Sequence, residues 1–175
     1  MRSVILGVAV SLDGFIEGPK GEYDWCFTDQ DYGMSDFFKK VDALFIGRKT
    51  YEMAQNVKVS KKMKDPFAHF GKYLFSNTLK STPEGYHLIS GDIAPKVQEI
   101  KNQKGKDIWL FGGANLTSSL INVSLVDELW LSIHPVILGG GKPLFQNLQA
   151  RKNLTLISHK TYDNGLIQTI YRFSQ

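Results

Sequence analysis

Four short stretches of the chain carry apolar side chains on consecutive rather than alternating positions: residues 4–10, 43–46, 73–75 and 108–111. Runs of this kind suit strands buried on both faces, as in a sheet with helices packed above and below it. Between and after them, residues 35–40, 49–55, 95–103 and 115–121 are helix candidates. The resulting alternation of strand and helix predicts an α/β domain with a largely parallel core. The last third changes character. Residues 128–138 form one long strand candidate interrupted at Pro135 and closed by Gly139-Gly140-Gly141. Residues 154–162 and 166–173 flank Asp163-Asn164-Gly165, and Asn-Gly between two such runs signals a hairpin because both residues tolerate positive φ. The expected architecture is one domain over residues 1–175, with about eight strands in a mixed, mostly parallel sheet. An antiparallel C-terminal hairpin lies at the sheet edge, and helices cover both faces. No internal repeat suggests a solenoid or propeller.

Composition narrows the class. The 175 residues are 42% apolar and 22% charged, as in an ordinary globular domain. The single cysteine, Cys26, excludes an internal disulfide framework and a cysteine-based zinc cluster. The apolar run at 4–10 is too short to span a membrane and lacks a cleavage site, so a cytoplasmic location without membrane attachment is expected. The net charge is +4, yet eight acids lie between Asp13 and Asp42 against three lysines, leaving the remainder basic. A basic remainder suits an anionic ligand. Most of the cations are scattered lysines, and the one basic cluster, residues 58–64, has no interleaved aromatics. Nucleic-acid binding is therefore not expected.

The informative feature is how three of the buried strands end. Residues 43–46 run into Gly47-Arg48-Lys49-Thr50 and a helix. Residues 73–75 run into Ser76-Asn77-Thr78, and 108–111 into Gly112-Gly113-Ala114-Asn115 and another helix. Ligands of open α/β sheets bind outside the carboxyl ends of the strands. Small residues there admit close backbone approach, and helix N-termini offer N–H groups to anions. Any one of these turns alone reads as a tight turn, with Arg48 on a solvated helix start. Together they suit a pyrophosphate across two helix starts, with Arg48 and Ser76 on a further phosphate such as the 2′-phosphate of NADPH. The chain has no G-x-G-x-x-G after a strand, no P-loop and no G-x-S-x-G elbow. Its four histidines are dispersed, so no metal is expected, and His134, before Pro135, reads as a packing residue. Cys26 beside Trp25 reads likewise.

These segments, in order with Ser11-Leu12-Asp13-Gly14-Phe15-Ile16 and Val126-Asp127-Glu128-Leu129, resemble the dihydrofolate reductase fold. Ser11-Leu12-Asp13-Gly14 together with the run from Pro135 through Gly139-Gly140-Gly141-Lys142 to Phe145 resembles more closely the reductase domain of the bifunctional riboflavin-biosynthesis deaminase–reductase. Thr161-Tyr162-Asp163-Asn164-Gly165 fits that branch too, so the likeness spans nearly the whole chain. It implies a three-layer fold, bound NADPH, and a homodimer supported by edge pairing of the C-terminal strands. By matching positions, it implies Gly112-Gly113 on the pyrophosphate through a cis peptide, with Ala114 and Asn115 beside it. Thr50 and Gly47 would support the same phosphates, and Arg48, Ser76 and Asn77 the adenosine end. Ala9 and Ile16 would line the nicotinamide. Asp13 and Asp36 would be the catalytic carboxylates, and Trp25 and Ser132 would contact substrate, with Phe37 and Phe38 either walling the cleft or lying in the core. Where dihydrofolate reductases carry an arginine before the third strand, this chain reads Phe70-Gly71-Lys72. Where the riboflavin branch carries a substrate arginine, it reads Lys64-Asp65-Pro66-Phe67. The expected activity is hydride transfer from NADPH to a small heterocyclic or sugar-bearing molecule. The alternatives are a dihydrofolate (pterin) reductase and a non-catalytic nucleotide-binding domain.

Overall fold

A row of side chains with no polar member cannot lie at a water-exposed sheet face, and the chain resolves this by stacking helices on both sides of one sheet. A computed structural model of the protein describes residues 1–56 and 67–174. The basic cluster at 58–64 and the Lys64-Asp65-Pro66 segment lie outside the described residues. The strands are β1 (Val4–Ser11), β2 (Phe15–Glu17), β3 (Val41–Gly47), β4 (Gly71–Phe75), β5 (Tyr86–Ile89), β6 (Asp107–Gly112), β7 (Glu128–His134), β8 (Lys142–Pro143), β9 (Leu154–Thr161) and β10 (Ile167–Phe173). The helices are α1 (Met34–Lys40), α2 (Arg48–Asn56), α3 (Ile93–Asn102) and α4 (Ala114–Asn122). Eight strands form the main sheet in the order β5-β4-β3-β6-β1-β7-β10-β9, and β2 pairs with β8 separately. Only β10 runs against the rest, being antiparallel to both β7 and β9. The expected mixed sheet with its C-terminal hairpin is therefore what the chain forms.

The two faces of the sheet differ. One buries Val4, Leu6, Phe45, Ile108, Leu110 and Leu129 beneath Val97 and Ile100 of α3 and Leu116, Leu120 and Ile121 of α4. The other packs Ile5, Leu44 and Trp109 against Phe37 of α1, and Phe38 meets Phe67 and Trp109 there. Phe37 and Phe38 thus belong to this second core, and Phe37 also lines the cleft described below. Gly7 in β1 makes the second packing possible, because a Cβ on it would meet Phe37 at 2.9 Å and Trp109 Nε1 at 3.2 Å. The indole N–H instead donates to the Gly7 carbonyl at 3.0 Å. At the amino ends of the strands, Arg2 pairs with Asp42, and Lys101, only 5% exposed, reaches both oxygens of Asp127 at 2.9 and 2.7 Å. Asp127 also accepts the Val4 N–H, so these two pairs tie down the end away from the three turns.

Three local expectations change. The strand from Glu128 stops at His134 instead of running on, since Pro135 offers no N–H to a ladder. In the hairpin only Gly165 has positive φ. Gly165 donates to the Tyr162 carbonyl and Tyr162 to that of Leu166, a turn closed by a left-handed glycine. Asn164 is not at positive φ; its side chain accepts the Leu166 N–H and donates to the Tyr32 hydroxyl. The small β2–β8 ladder and β5 had no patterning strong enough to be read.

Gly7→Ala is expected to lower stability by about 1–3 kcal/mol in urea titration, the range for overfilling a packed core. An unchanged midpoint would mean that Phe37 and Trp109 move aside freely.

Candidate functional site

The carboxyl ends of β3, β4 and β6 are neighbours. Gly47 pairs with Phe75, which precedes Ser76, and Ile46 pairs with Gly112. Arg48, Ser76 and Gly113 therefore leave the sheet side by side. The Gly112–Gly113 peptide bond is cis. A Cβ on Gly113 would stand 2.8 Å from Thr50 Oγ1, and one on Gly47 would stand 3.5 Å from the Gly113 nitrogen. Gly47, Thr50, Gly112 and Gly113 thus form one narrow crevice of backbone and hydroxyl. Two helices, α2 and α4, open from it. α4 begins at Gly113 without a side-chain cap, and neither α4 nor α2 has an acid in its first turn. Ala114 is buried at the start of α4.

Around this crevice the polar side chains are already occupied. Arg48 Nη1 donates to both oxygens of Glu52, one turn on in α2, at 2.8 and 3.0 Å. Ser76 Oγ accepts the N–H groups of Thr78 and Leu79 at 3.1 Å, closing its own turn. Asn77 accepts Gly91 N–H at 2.8 Å, and Asn115 accepts from Gln146 at 2.5 Å. These last two side chains brace neighbouring loops and do not turn into the crevice.

Beyond Phe111, which precedes the cis bond, the α1 face of the sheet opens into a cleft of about 860 Å³. Ala9, Trp109, Phe111, Trp130 and Ser132 line its floor, and residues of the 26–34 segment with Tyr162 line its walls. Ser132 Oγ accepts Gln168 Nε2–H at 3.3 Å, leaving its own proton uncommitted to Gln168. Gln168 also donates to the Tyr32 carbonyl at 2.5 Å and accepts from the Tyr162 hydroxyl at 2.8 Å. Tyr32, at φ +47°, donates to Asp29 at 2.5 Å and packs edge-on against Tyr162 at 5.0 Å. Burial and the Asp29 bond hold its phenol pKa above the ordinary value. Two carboxylates stand on the rim. Asp31 is locked to Ser35 and held below the usual carboxylate range, chiefly by the Ser35 hydroxyl. Asp36 is exposed and bonds Lys39 at 2.9 Å. Cys26 lies in the wall, and burial pushes its thiol up to about 11, which leaves it protonated and unreactive at neutral pH.

Three expected site residues lie elsewhere. Asp13 does not face the cleft. Its carboxylate accepts from Ser11 Oγ at 2.7 Å, Leu138 N at 3.1 Å and Gly139 N at 2.8 Å, so it clasps the 136–139 loop to the end of β1. The Ser11 hydroxyl foremost, and then those backbone donors, hold it below the usual range, which suits a permanent acceptor and not a proton relay. Ile16, in β2, packs against the larger core under α3 and α4 rather than into the cleft. Trp25 stands behind the wall, edge-on to His134 at 5.3 Å, with its buried Nε1 unpartnered among the described residues. The residues missed in the sequence are Tyr32, His134, Tyr162 and Gln168. Most of their partners lie far away in the chain, so no local pattern was a cue to these contacts. His134 does pack, as expected, but at the cleft.

Residues 2–168 match the RibD C-terminal domain family, and the chain belongs to it. That family is a reductase domain of the riboflavin-pathway type. YyaP of Bacillus subtilis (strain 168), described only as uncharacterized, is 40% identical over 180 residues, covering 99% of this chain and 96% of its own. A Shewanella sp. PV-4 protein named for riboflavin biosynthesis superposes with TM-score 0.86 at 25% identity, over 99% of this chain and all of that one. Enterococcus faecalis dihydrofolate reductase, solved in complex with NADP(H), shares the fold alone, with TM-score 0.65 at 13% identity over 99% and 97% of the two chains. Among the described residues no helix is long and apolar enough to cross a membrane, and no group of three or more metal-ligating side chains gathers.

Asp13→Ala is expected to speed exchange of the Leu138 and Gly139 amides about tenfold at pH 7, the loss of one charge-assisted bond. In the wild type the lowered pKa keeps the carboxylate ionised to lower pH than an ordinary aspartate. The clasp is lost only as the pH falls below 3.8 through the folded value. Unchanged exchange in the variant would assign the loop's order to its other contacts.

Proposed function

We propose that the chain is an NADPH-dependent reductase that passes hydride to a small heterocyclic or sugar-bearing molecule in the aromatic cleft. One observation carries this reading. The turns at Gly47, Thr50 and Gly112-Gly113 meet so closely that a Cβ on Gly113 would stand 2.8 Å from Thr50 Oγ1, and two helices start there without acids in their first turns. Pyrophosphate oxygens suit such a crevice because N–H groups and helix dipoles meet them without a desolvated counter-charge. The fold is shared with a dihydrofolate reductase solved with NADP(H), which supports the same ligand class. NADPH, when bound, supplies the hydride.

The chain's own residues do the rest. Thr50 and the Gly113 backbone hold the phosphates, and Arg48, beside Ser76 in register, meets a 2′-phosphate with the guanidinium N–H groups that Glu52 does not use. Ala9 on the cleft floor leaves room for a flat ring, and Trp109, Phe111 and Trp130 exclude water from it. Ser132 turns its hydroxyl proton to a substrate carbonyl or ring nitrogen. Asp36, the rim carboxylate with Lys39 as its partner, relays the proton that accompanies hydride addition. Two copies pair through β9, a free sheet edge whose eight residues are all exposed, Leu154, Leu156 and Ile157 among them.

Fluorescence titration tests the cofactor. NADPH is expected to bind, Gly113→Ala to abolish binding of both NADPH and NADH, and Arg48→Ala to weaken NADPH by about 1.5–3 kcal/mol while sparing NADH. Equal losses for the two dinucleotides on Arg48→Ala would remove the arginine from the 2′-phosphate, and no binding by the wild type would remove the reductase reading. Light scattering is expected to give a dimer that Leu156→Lys makes monomeric; a wild-type monomer would contradict the edge pairing.

A further inference from the structure

The 26–34 segment that walls the cleft is fastened at two points. At its far end Tyr32 is tied to Asn164, Tyr162 and Gln168 of the hairpin. At its near end the fastening is one imidazole, at the last position of β7. His134 Nε2 accepts the Phe27 N–H at 3.1 Å, and Nδ1 lies 3.0 Å from the Ser132 carbonyl. Only one form of the ring satisfies both contacts. It is the neutral tautomer with its proton on Nδ1, donating to Ser132 and accepting from Phe27. The ring is 3% exposed and lies between Trp25, at 5.3 Å, and Phe27, at 5.0 Å.

A second proton would set Nε2–H against the Phe27 N–H, donor against donor, and leave a charge in an apolar slot. No neighbour offers that charge a partner among the described residues. From the segment come Trp25, Phe27 and the protonated Cys26, with Asp24 acting on the Cys26 thiol. From β1 comes Ser11, opposite His134 in register, its hydroxyl spent on Asp13. From β7 comes the Ser132 carbonyl, and from β10 Gln168, whose amide is committed to Tyr32, Tyr162 and Ser132. Burial accordingly depresses the imidazole pKa below 6.5, against the smaller opposing pull of Ser132.

We propose that His134 is the positioning residue for the cleft wall, and that its protonation releases Trp25–Phe27 from β7 and opens the cleft on acidification. The sign follows from the depressed pKa. Closure is complete above pH 6.5, where the released ring would be neutral as well. It weakens as the pH falls below 6.5, by about tenfold per pH unit until the ring titrates in place. The proposal holds whatever the cleft binds, so it stands or falls separately from the reductase reading.

Hydrogen exchange on the whole protein between pH 7.5 and 5.0, corrected for the intrinsic pH dependence of exchange, reads it directly. Protection of peptides covering residues 25–32 is expected to fall below pH 6.5 at about the stated rate, relative to peptides from β1 and β6. In His134→Gln, whose carboxamide accepts from Phe27 and donates to Ser132 without titrating, the same peptides are expected to stay level. Level protection in the wild type, or an equal fall in the glutamine variant, overturns the proposal. Ring nitrogen shifts of His134 in the wild type need no variant. Nδ1–H with Nε2 bare at pH 7 and titration below 6.5 supports the proposal, and an Nε2–H tautomer or an ordinary titration overturns it.

Discussion

The molecule is organised around a place where no side chain is allowed. Between the carboxyl ends of β3 and β6, Gly113 and Thr50 approach so closely that a single added carbon on Gly113 would sit 2.8 Å from the threonine hydroxyl. Gly47 stands over the same spot, a would-be Cβ lying 3.5 Å from the Gly113 nitrogen. What remains is backbone, two hydroxyl-bearing or glycine turns, and the first N–H groups of α2 and α4. The parallel sheet supplies the convergence, because parallel strands bring all their carboxyl ends to one edge. The charged pairs Arg2 with Asp42 and Lys101 with Asp127 lie at the other end, and at this edge the ion pair is Arg48 with Glu52.

The cleft beside the crevice is built differently. Its floor is the sheet, held by Gly7 admitting the Trp109 indole, but its walls are loops, and loops need fasteners. Gln168, Tyr32, Tyr162 and His134 serve as those fasteners, each spending its polar atoms on a partner across the cleft or the hairpin. Such fully satisfied networks fix one arrangement of a surface segment and make it sensitive to any change in a member's protonation.

The sheet and the crevice were legible in the sequence because each rests on local chemistry. Consecutive apolar residues mark a doubly covered strand, and Gly47, Gly112 and Gly113 following such strands mark close backbone approach. The C-terminal hairpin was legible from Asn164-Gly165, although the turn uses only Gly165 at positive φ. Asp13 was expected to be catalytic, and an acid before glycine looks the same in sequence whether it faces a substrate or two amides of a loop more than a hundred residues away. Ile16 and Trp25 were expected at the cleft for a similar reason, but Ile16 packs against the core under α3 and α4 and Trp25 against His134. The roles of His134 and Gln168 were invisible, since each depends on a partner brought close only by the complete topology.

Mapping amide chemical shifts while NADPH is titrated into the protein addresses the central claim most directly. The account predicts that the largest changes fall on Gly47 to Thr50 and Gly112 to Asn115, with smaller ones at Ser76 and Ala9. Changes confined to the amino-terminal edge of the sheet or to β9, or no changes at saturating NADPH, would contradict it.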